Sequence, residues 1–314
     1  MAEVITAIEA ERLRITDSAV SIGVFDGVHT GHQSVIGHLL AERERSGAAS
    51  SVLITFDRHP LSVTHPERSP RLLTTLDEKI SILSATSVDF ILVERFDAEL
   101  ARIDYRDFVR ENLIRRLGMR SLVIGYDFHL GKGREGNQRN LAQLGSESGF
   151  EFSVVPPVVV SGRAVSSTRI RTYIESKKLR RATRLLTRPH FFDAEVVRGM
   201  GVGRSIGYPT ANLAIADREK LIPPPGVYAV RAETAAGLYG GMMNIGSAPT
   251  VRPDGGQSVE VHLFGFRGEI YGEGIRVHCL QWMREERMFG SGDELRRQLA
   301  CDGEKALRIL EKNH

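Results

Sequence analysis

Along its first half the chain alternates short, continuously apolar runs with longer segments whose apolar positions recur every three or four residues. The runs Ala19 to Phe25, Ser51 to Phe56, Asp89 to Glu94, Ser121 to Gly125 and Phe150 to Val155 predict strands buried on both faces. Between them, Gly31 to Gly47, Asp77 to Ala85, Tyr105 to Leu117 and Arg139 to Ser148 predict helices. Short apolar strands alternating with amphipathic helices imply a parallel sheet covered on both sides. In such sheets a ligand sits beyond the carboxyl ends of the strands. The pattern changes after about residue 188. Phe191 to Arg198, Val227 to Glu233, Leu238 to Ile245, Ser258 to Phe266 and Ile275 to Met283 are rich in Val, Tyr, Phe and His. Turns such as Pro223-Pro-Pro-Gly226 and Arg252-Pro-Asp-Gly-Gly256 separate them, which predicts an antiparallel barrel or sandwich. A last helix from about Asp293 to Lys312 carries Leu295, Leu299, Ala306 and Leu310 on one stripe, suited to packing on that sheet. The boundary is expected near residues 184–190, giving domains 1–186 and 187–314.

Composition adds limits. At 314 residues the chain is long for one core and comfortable for two. Charged residues at 26% and hydrophobic residues at 41% fit a soluble globular protein. A formal net charge of +3 is too small to argue for nucleic acid, and the basic run Lys177 to Arg184 reads as a solvated helix face. Its two cysteines, Cys279 and Cys301, stand in no metal-ligand spacing, so neither a disulfide framework nor a structural zinc site is expected. No run reaches membrane-span length, and Glu3, Glu9 and Glu11 make the first residues unlike a signal peptide. A cytoplasmic enzyme acting on small molecules, as a monomer or weak homo-oligomer, is the expectation.

The densest chemistry lies in Ser21-Ile-Gly-Val-Phe-Asp-Gly-Val-His-Thr-Gly-His32, where the first strand gives way to a helix. A helix start offers unpaired backbone N–H groups and partial positive charge, which suits a phosphate. His29 and His32 add donors that can follow charge developing on a phosphoryl group. Gly23, Gly27 and Gly31 remove Cβ atoms that would hold a nucleotide away from the backbone. Histidines that merely cap and pack are the plainer account, and the concentration of glycine, aspartate and histidine here weighs against it. Ser166-Ser-Thr-Arg-Ile-Arg171 starts another helix with hydroxyls and with Arg169, whose fork of donors suits a leaving pyrophosphate.

In the second half, Arg198-Gly-Met-Gly-Val-Gly-Arg-Ser-Ile-Gly-Tyr-Pro-Thr-Ala-Asn212 is a glycine-rich segment able to approach phosphates, although it lacks the GK[ST] of a Walker loop. Thr210 and Asn212 can place two neutral oxygens on a hard cation. Strand alternation puts Glu260, His262 and Phe264 on one face, opposite Val259, Val261 and Leu263. A carboxylate there could serve as base toward a hydroxyl.

Taken in order, these motifs resemble those of the bifunctional bacterial riboflavin kinase/FAD synthetases, also called FMN adenylyltransferases. Gly23 to His32 is similar to the HxGH signature of the nucleotidyltransferase superfamily, Thr55-Phe-Asp-Arg-His-Pro60 to the loop after the second strand, and Gly125 to Gly136 to a second signature. Arg58 stands where that loop usually has proline. Gly207-Tyr-Pro-Thr-Ala-Asn212 is similar to the riboflavin kinase motif. The resemblance runs from about Ser21 to about Asp302. It implies an α/β Rossmann-like nucleotidyltransferase domain followed by an antiparallel β-barrel kinase domain with a C-terminal helix. It further implies that riboflavin becomes FMN, and FMN becomes FAD, with ATP and Mg²⁺ used at each step.

By that resemblance, Gly23, Phe25, Asp26, Gly27, His29, Gly31, His32, Ser166, Ser167, Thr168 and Arg169 hold ATP in the first domain, with His29, His32 and Arg169 acting on the reacting phosphates. Asp57, His59, Pro60 and Asp127 would face the flavin. In the second domain Gly201, Gly203, Gly207, Pro209, Thr210 and Asn212 would hold ATP. Thr210 and Asn212 would meet the Mg²⁺, and Glu260 would be the catalytic base. A chain retaining only one activity, or a flavin-sensing regulator without activity, are the alternatives.

Overall fold

The computed structural model describes residues 2–13, 15–199, 203, 207–247 and 257–312. Two compact units emerge, Met1–Ser167 and Thr168–His314.

The first unit is built on six parallel strands: β1 (Glu3–Thr6), β2 (Ser18–Ile22), β3 (Ser50–Phe56), β4 (Phe90–Glu94), β5 (Met119–Gly125) and β6 (Glu151–Val155), in the order β1-β4-β3-β2-β5-β6. Its helices are α1 (Ala7–Leu13), α2 (Thr30–Ser46), α3 (Pro60–Thr64), α4 (Leu76–Leu83), α5 (Tyr105–Asp107) and α6 (Gln138–Ser148). Alternate residues of the central strands feed two cores. Val20, Ile22, Val52, Ile54, Leu92, Leu122 and Ile124 pack on one face with Phe108, Leu113 and Leu141. Ala19, Leu53, Ile91 and Val123 pack on the other with Val35, Ile36, Leu39 and Leu83. All seven residues of β3 are buried, which explains why its sequence shows no polar alternation. A small ribbon, β7 (Val159–Val160) with β8 (Arg163–Ala164), follows.

Two expectations shift in detail, and one strand is added. The first strand ends at Ile22 rather than Phe25, because Phe25 adopts φ +50°, which no strand can accommodate. The helix expected over Tyr105 to Leu117 passes from α5 into a π-helical stretch, Phe108–Arg115. β1 has no counterpart in the sequence reading; it is four residues long with only Ile5 buried, too short to show a period.

The second unit opens with α7 (Ser167–Glu175), which starts at the division, and α8 (Leu179–Leu186). Leu179, Ala182, Leu185 and Leu186 form the buried side of α8, while Arg180, Arg181 and Arg184 are exposed. The basic run is therefore the outer face of an amphipathic helix. Strands β9 (His190–Val197), β10 (Ala211–Ala214), β11 (Gly226–Thr234), β12 (Gly237–Ser247), β13 (Gln257–Leu263) and β14 (Gly274–Arg284) close into a barrel in the order β10-β13-β12-β11-β14-β9, all neighbours antiparallel. The choice left open between barrel and sandwich is thus resolved. The C-terminal helix α9 (Gly292–Glu311) covers Val227, Ala229, Met242 and Leu280 with Ala306, Ile309 and Leu310. Its buried side also includes Asp302, which takes a two-pronged contact from Arg284 at 2.7–3.1 Å. Periodicity alone would have assigned that position to a hydrophobe.

His190 gives this unit a pH response. It is 3% exposed, and its Nε2–H donates to the Leu221 carbonyl at 2.8 Å. Burial, with help from the Lys220 charge, pushes its pKa well below the ordinary histidine range. Below about pH 6.5 the unfolded chain gains a proton here that the folded chain refuses. Stability therefore falls as pH is lowered through that point, by up to about 1.4 kcal/mol per pH unit. Thermal unfolding should show a lower midpoint at pH 5.5 than at pH 7.5, and His190→Gln should flatten that slope.

Candidate active sites

The end of β2 in the first unit is unusually bent. Phe25, Gly27 and Val28 all have positive φ, at +50°, +81° and +39°. For a β-branched residue such as Val28 this is a strained backbone, held because the side chain is 1% exposed in the core. The bend delivers His29 to the N-cap of α2, where its Nδ1 accepts the His32 backbone N–H at 3.3 Å. The two imidazoles stack, with ring centroids 3.7 Å apart and planes 15° from parallel, and Phe25 meets His32 edge-on at 5.3 Å. His29 is 5% exposed and His32 is half-buried. Gly31 permits this: a Cβ there would stand 3.0 Å from His29 Cε1. The signature thus puts two imidazoles and a helix N-terminus at one place, the carboxyl end of the central strand.

Asp26 turns inward. It is 4% exposed, and its carboxylate accepts the backbone N–H groups of Leu73 and Thr74 at 3.2 and 2.9 Å, while Gly27 N–H donates to Thr74 Oγ1 at 3.0 Å. From the C-terminal side, Ser167 Oγ donates to the Asp26 carbonyl at 2.9 Å, joining the serine motif to the HxGH turn. Thr168 and Arg169 follow in α7; the Arg169 guanidinium donates to Tyr173 Oη at 3.1–3.2 Å and lies over that ring.

Of the residues expected at the flavin, His59 caps α3 by accepting Leu61 N–H, and Pro60 is the first residue of that helix. Asp57 accepts Phe96 N–H at 2.8 Å and the Arg58 guanidinium at 3.0–3.1 Å, so Arg58 folds back on its neighbour. Asp127 is exposed in the loop after β5, which closes through a Leu130–Gly136 bridge. The loops after β2, β3 and β5 carry the HxGH and flavin-side groups, as expected beyond the carboxyl ends of a parallel sheet, while Ser167, Thr168 and Arg169 come from α7. Sequence reasoning missed Thr74 and Lys79. The one local signal was the capping box Thr75–Glu78 that starts α4 just beside them.

The second site lies in the barrel. Sheet register sets Glu260 of β13 opposite Asn212 of β10 on one side and Asn244 of β12 on the other. Thr210 Oγ1 donates to Glu260 Oε2 at 3.0 Å, and His262 Nδ1 lies 2.8 Å from the Pro209 carbonyl. Val259, Val261 and Leu263 are buried, as alternation predicts, leaving Glu260, His262 and Phe264 on the opposite face. Tyr208 and Phe264 flank His262 at 5.3 and 5.7 Å between rings. A Cβ on Gly199 would collide with the Asn212 amide, and one on Gly203 with the Tyr208 carbonyl, so both glycines are needed for the close approach of this loop. Gly207 has φ +84° and is exposed. Gly201 and the turn Arg252 to Gly256 lie outside the described residues. Among the described residues, no group of three or more His, Cys, Asp or Glu is arranged to hold a metal ion. Thr210 and Asn212 carry neutral side-chain oxygens, the donor type that a hard divalent cation prefers, and Glu260 is bonded to the first and in register with the second.

Comparison with known proteins matches both units. Residues 12–169 fit the family model described as FAD synthetase, and residues 186–310 the one described as riboflavin kinase. The bifunctional riboflavin kinase/FMN adenylyltransferase of Bacillus subtilis (strain 168) is 34% identical over 298 residues, covering 93% of this chain and 92% of that protein. The protein of the same name from Escherichia coli (strain K12) is 36% identical over 287 residues, covering 90% of each. A crystal structure described as a macrolide-efflux protein from Streptococcus pneumoniae superposes with a TM-score of 0.85 at 30% identity, over 96% of this chain and 97% of that one. Among the described residues no helix is long and apolar enough to cross a membrane. Two family models in tandem and relatives aligned nearly end to end give one answer: the chain belongs to the bifunctional riboflavin kinase/FMN adenylyltransferase family.

Proposed function

We propose that the protein makes FMN from riboflavin in its barrel and FAD from FMN on its parallel sheet, using ATP for each step. The observation that carries the reading is the presence, in one chain, of both constellations: stacked His29 and His32 at the start of α2, and Glu260 hydrogen-bonded to Thr210 in the barrel. The proposed functional boundary falls between residues 186 and 187, a reading supported by the riboflavin kinase match, which starts at residue 186.

In the barrel, the terminal hydroxyl of riboflavin attacks the γ-phosphorus of ATP, its proton passes to Glu260, and ADP leaves. Gly203, Gly207 and Pro209 shape the loop that accepts the triphosphate, and Gly201 is assigned to the same ligand. Thr210 and Asn212 would hold Mg²⁺, which when bound neutralises phosphate charge. On the sheet, an oxygen of the FMN phosphate attacks the α-phosphorus of ATP and pyrophosphate departs, with no protein nucleophile. There the work is alignment and charge neutralisation by His29, His32 and Arg169. Gly23, Phe25, Gly27, Gly31, Ser166, Ser167 and Thr168 line the nucleotide, and Asp26 holds the turn. Asp57, His59, Pro60 and Asp127 face the flavin.

The partners are small molecules rather than nucleic acid or membrane, and the protein works in the cytoplasm as a monomer or weak homo-oligomer; the net charge of +3 supports the first point. Incubation of the purified protein with riboflavin, ATP and Mg²⁺, followed by chromatography of the flavins, tests the whole reading. FMN should rise first and FAD after it. Accumulation of FMN alone, or no turnover, would reject one or both assignments.

A further inference from the structure

A buried lysine lies beneath the nucleotide turn with no part in the chemistry above. Lys79, on the first turns of α4, is 6% exposed. Its Nζ donates to the Phe56 carbonyl at 2.7 Å and to the Val24 carbonyl at 3.3 Å. Val24 lies two residues past the end of β2 and begins the strained turn toward His29; Phe56 is the last residue of β3 and begins the loop carrying Asp57, His59 and Pro60. These are the two loops assigned to ATP and to flavin. The same end of α4 also grips the first loop through Leu73 and Thr74, which bond Asp26 and Gly27.

The buried Phe56 carbonyl needs a donor, while the part-buried Val24 carbonyl also takes the Thr55 hydroxyl at 3.2 Å; a neutral amide could serve both. A lysine is the demanding choice, because taking an ammonium out of water is unfavourable unless charges answer it. Here burial pushes its pKa down to about 8, and the carboxylates of Asp26 and Asp57 pull it back toward the charged form. Both carboxylates belong to the loops being held, so the ammonium attracts each loop as well as bonding its backbone.

We infer that Lys79 is a positioning residue for adenylyl transfer: its ammonium clamps the carboxyl ends of β2 and β3 together from below and so sets the spacing between the ATP turn and the flavin loop. The inference rests on the adenylyltransferase reading of the first unit. Other charged groups around these strand ends are already engaged. Glu94, in register with Phe56, is bonded by Arg116 at 2.8 Å, Arg58 bonds Asp57, and Glu78 accepts Thr75 N–H at 2.9 Å. An alkaline limb in FAD formation that is lost in the Lys79→Met variant is the signature of Lys79.

The test uses the intact two-domain protein, supplied separately with riboflavin and with FMN across pH 6.5–9.5. FAD formation by the parent enzyme should decline with an apparent pKa of about 8, while FMN formation shows no such limb. Lys79→Met should lower kcat for FAD formation on the order of 10- to 100-fold, the scale of a misaligned pair of reactants. It should also lose the alkaline limb and leave FMN formation at the parent rate. Parent-level FAD formation in Lys79→Met, or an unchanged limb in that variant, overturns the inference. If Lys79→Met fails to fold, seen as loss of FMN formation too, the parent profile decides: absence of a limb specific to FAD formation overturns it. A parent enzyme that makes no FAD at any pH rejects the adenylyltransferase reading itself.

Discussion

Glu260→Gln is expected to lower the rate of riboflavin phosphorylation by roughly 10²- to 10⁴-fold, the usual contribution of a positioned general base. Glutamine preserves the size of the side chain and an oxygen that can still accept the Thr210 hydroxyl, now 3.0 Å from Glu260 Oε2. It cannot take a proton from the attacking alcohol. The neighbouring strands hold position 260 in register with Asn212 and Asn244, so the barrel should survive the exchange. Loss of FMN formation would then report chemistry rather than unfolding. FAD formation from supplied FMN should continue at the parent rate, because the substituted carboxylate belongs to the barrel. Flavin chromatography with riboflavin, and separately with FMN, checks both halves of the expectation. Near-parent FMN production would remove Glu260 from the role of base.

How much of this was legible beforehand follows from the range of each interaction. The central strands could be read directly because both faces are buried, and β3 shows this with every residue inside. β13 was legible for the opposite reason, its strict alternation of Val259, Val261 and Leu263 against Glu260 and His262. The helix after the HxGH turn ends at Gly47, whose φ of +66° is the left-handed cap that a glycine predicts. Hidden were the features decided by distant neighbours. Nothing near Asp26 shows that its carboxylate serves Leu73 and Thr74, 47 and 48 residues away. Nothing near Lys79 shows that it reaches Val24, 55 residues back. Asp302, polar in an otherwise apolar stripe, makes sense only once Arg284 is seen to meet it. Residues clustered in local motifs could therefore be singled out from sequence as site candidates. The residues that hold those motifs in place could not, because their partners lie on other strands and helices.

Replacing His29 and His32 together should do to FAD formation what Glu260→Gln does to FMN formation. Each imidazole stands at the start of α2, where backbone N–H groups and the helix dipole already favour anionic oxygen. Removal of one such donor typically costs about 10²- to 10³-fold in rate. The rings are stacked at 3.7 Å and act as a unit, so the double variant should lose at least that much without the two losses multiplying. The choice of substitution matters at position 29. His29 Nδ1 is the N-cap acceptor for His32 N–H, and alanine would also remove that cap, worth about 1 kcal/mol. Asparagine keeps a capping oxygen while deleting the imidazole, so His29→Asn with His32→Ala separates catalysis from folding of α2. In that variant FMN should accumulate from riboflavin at the parent rate and FAD should stay at background. A stable, folded double variant that still adenylylates FMN at the parent rate would show that the stacked pair packs the turn and leaves the phosphates to other groups.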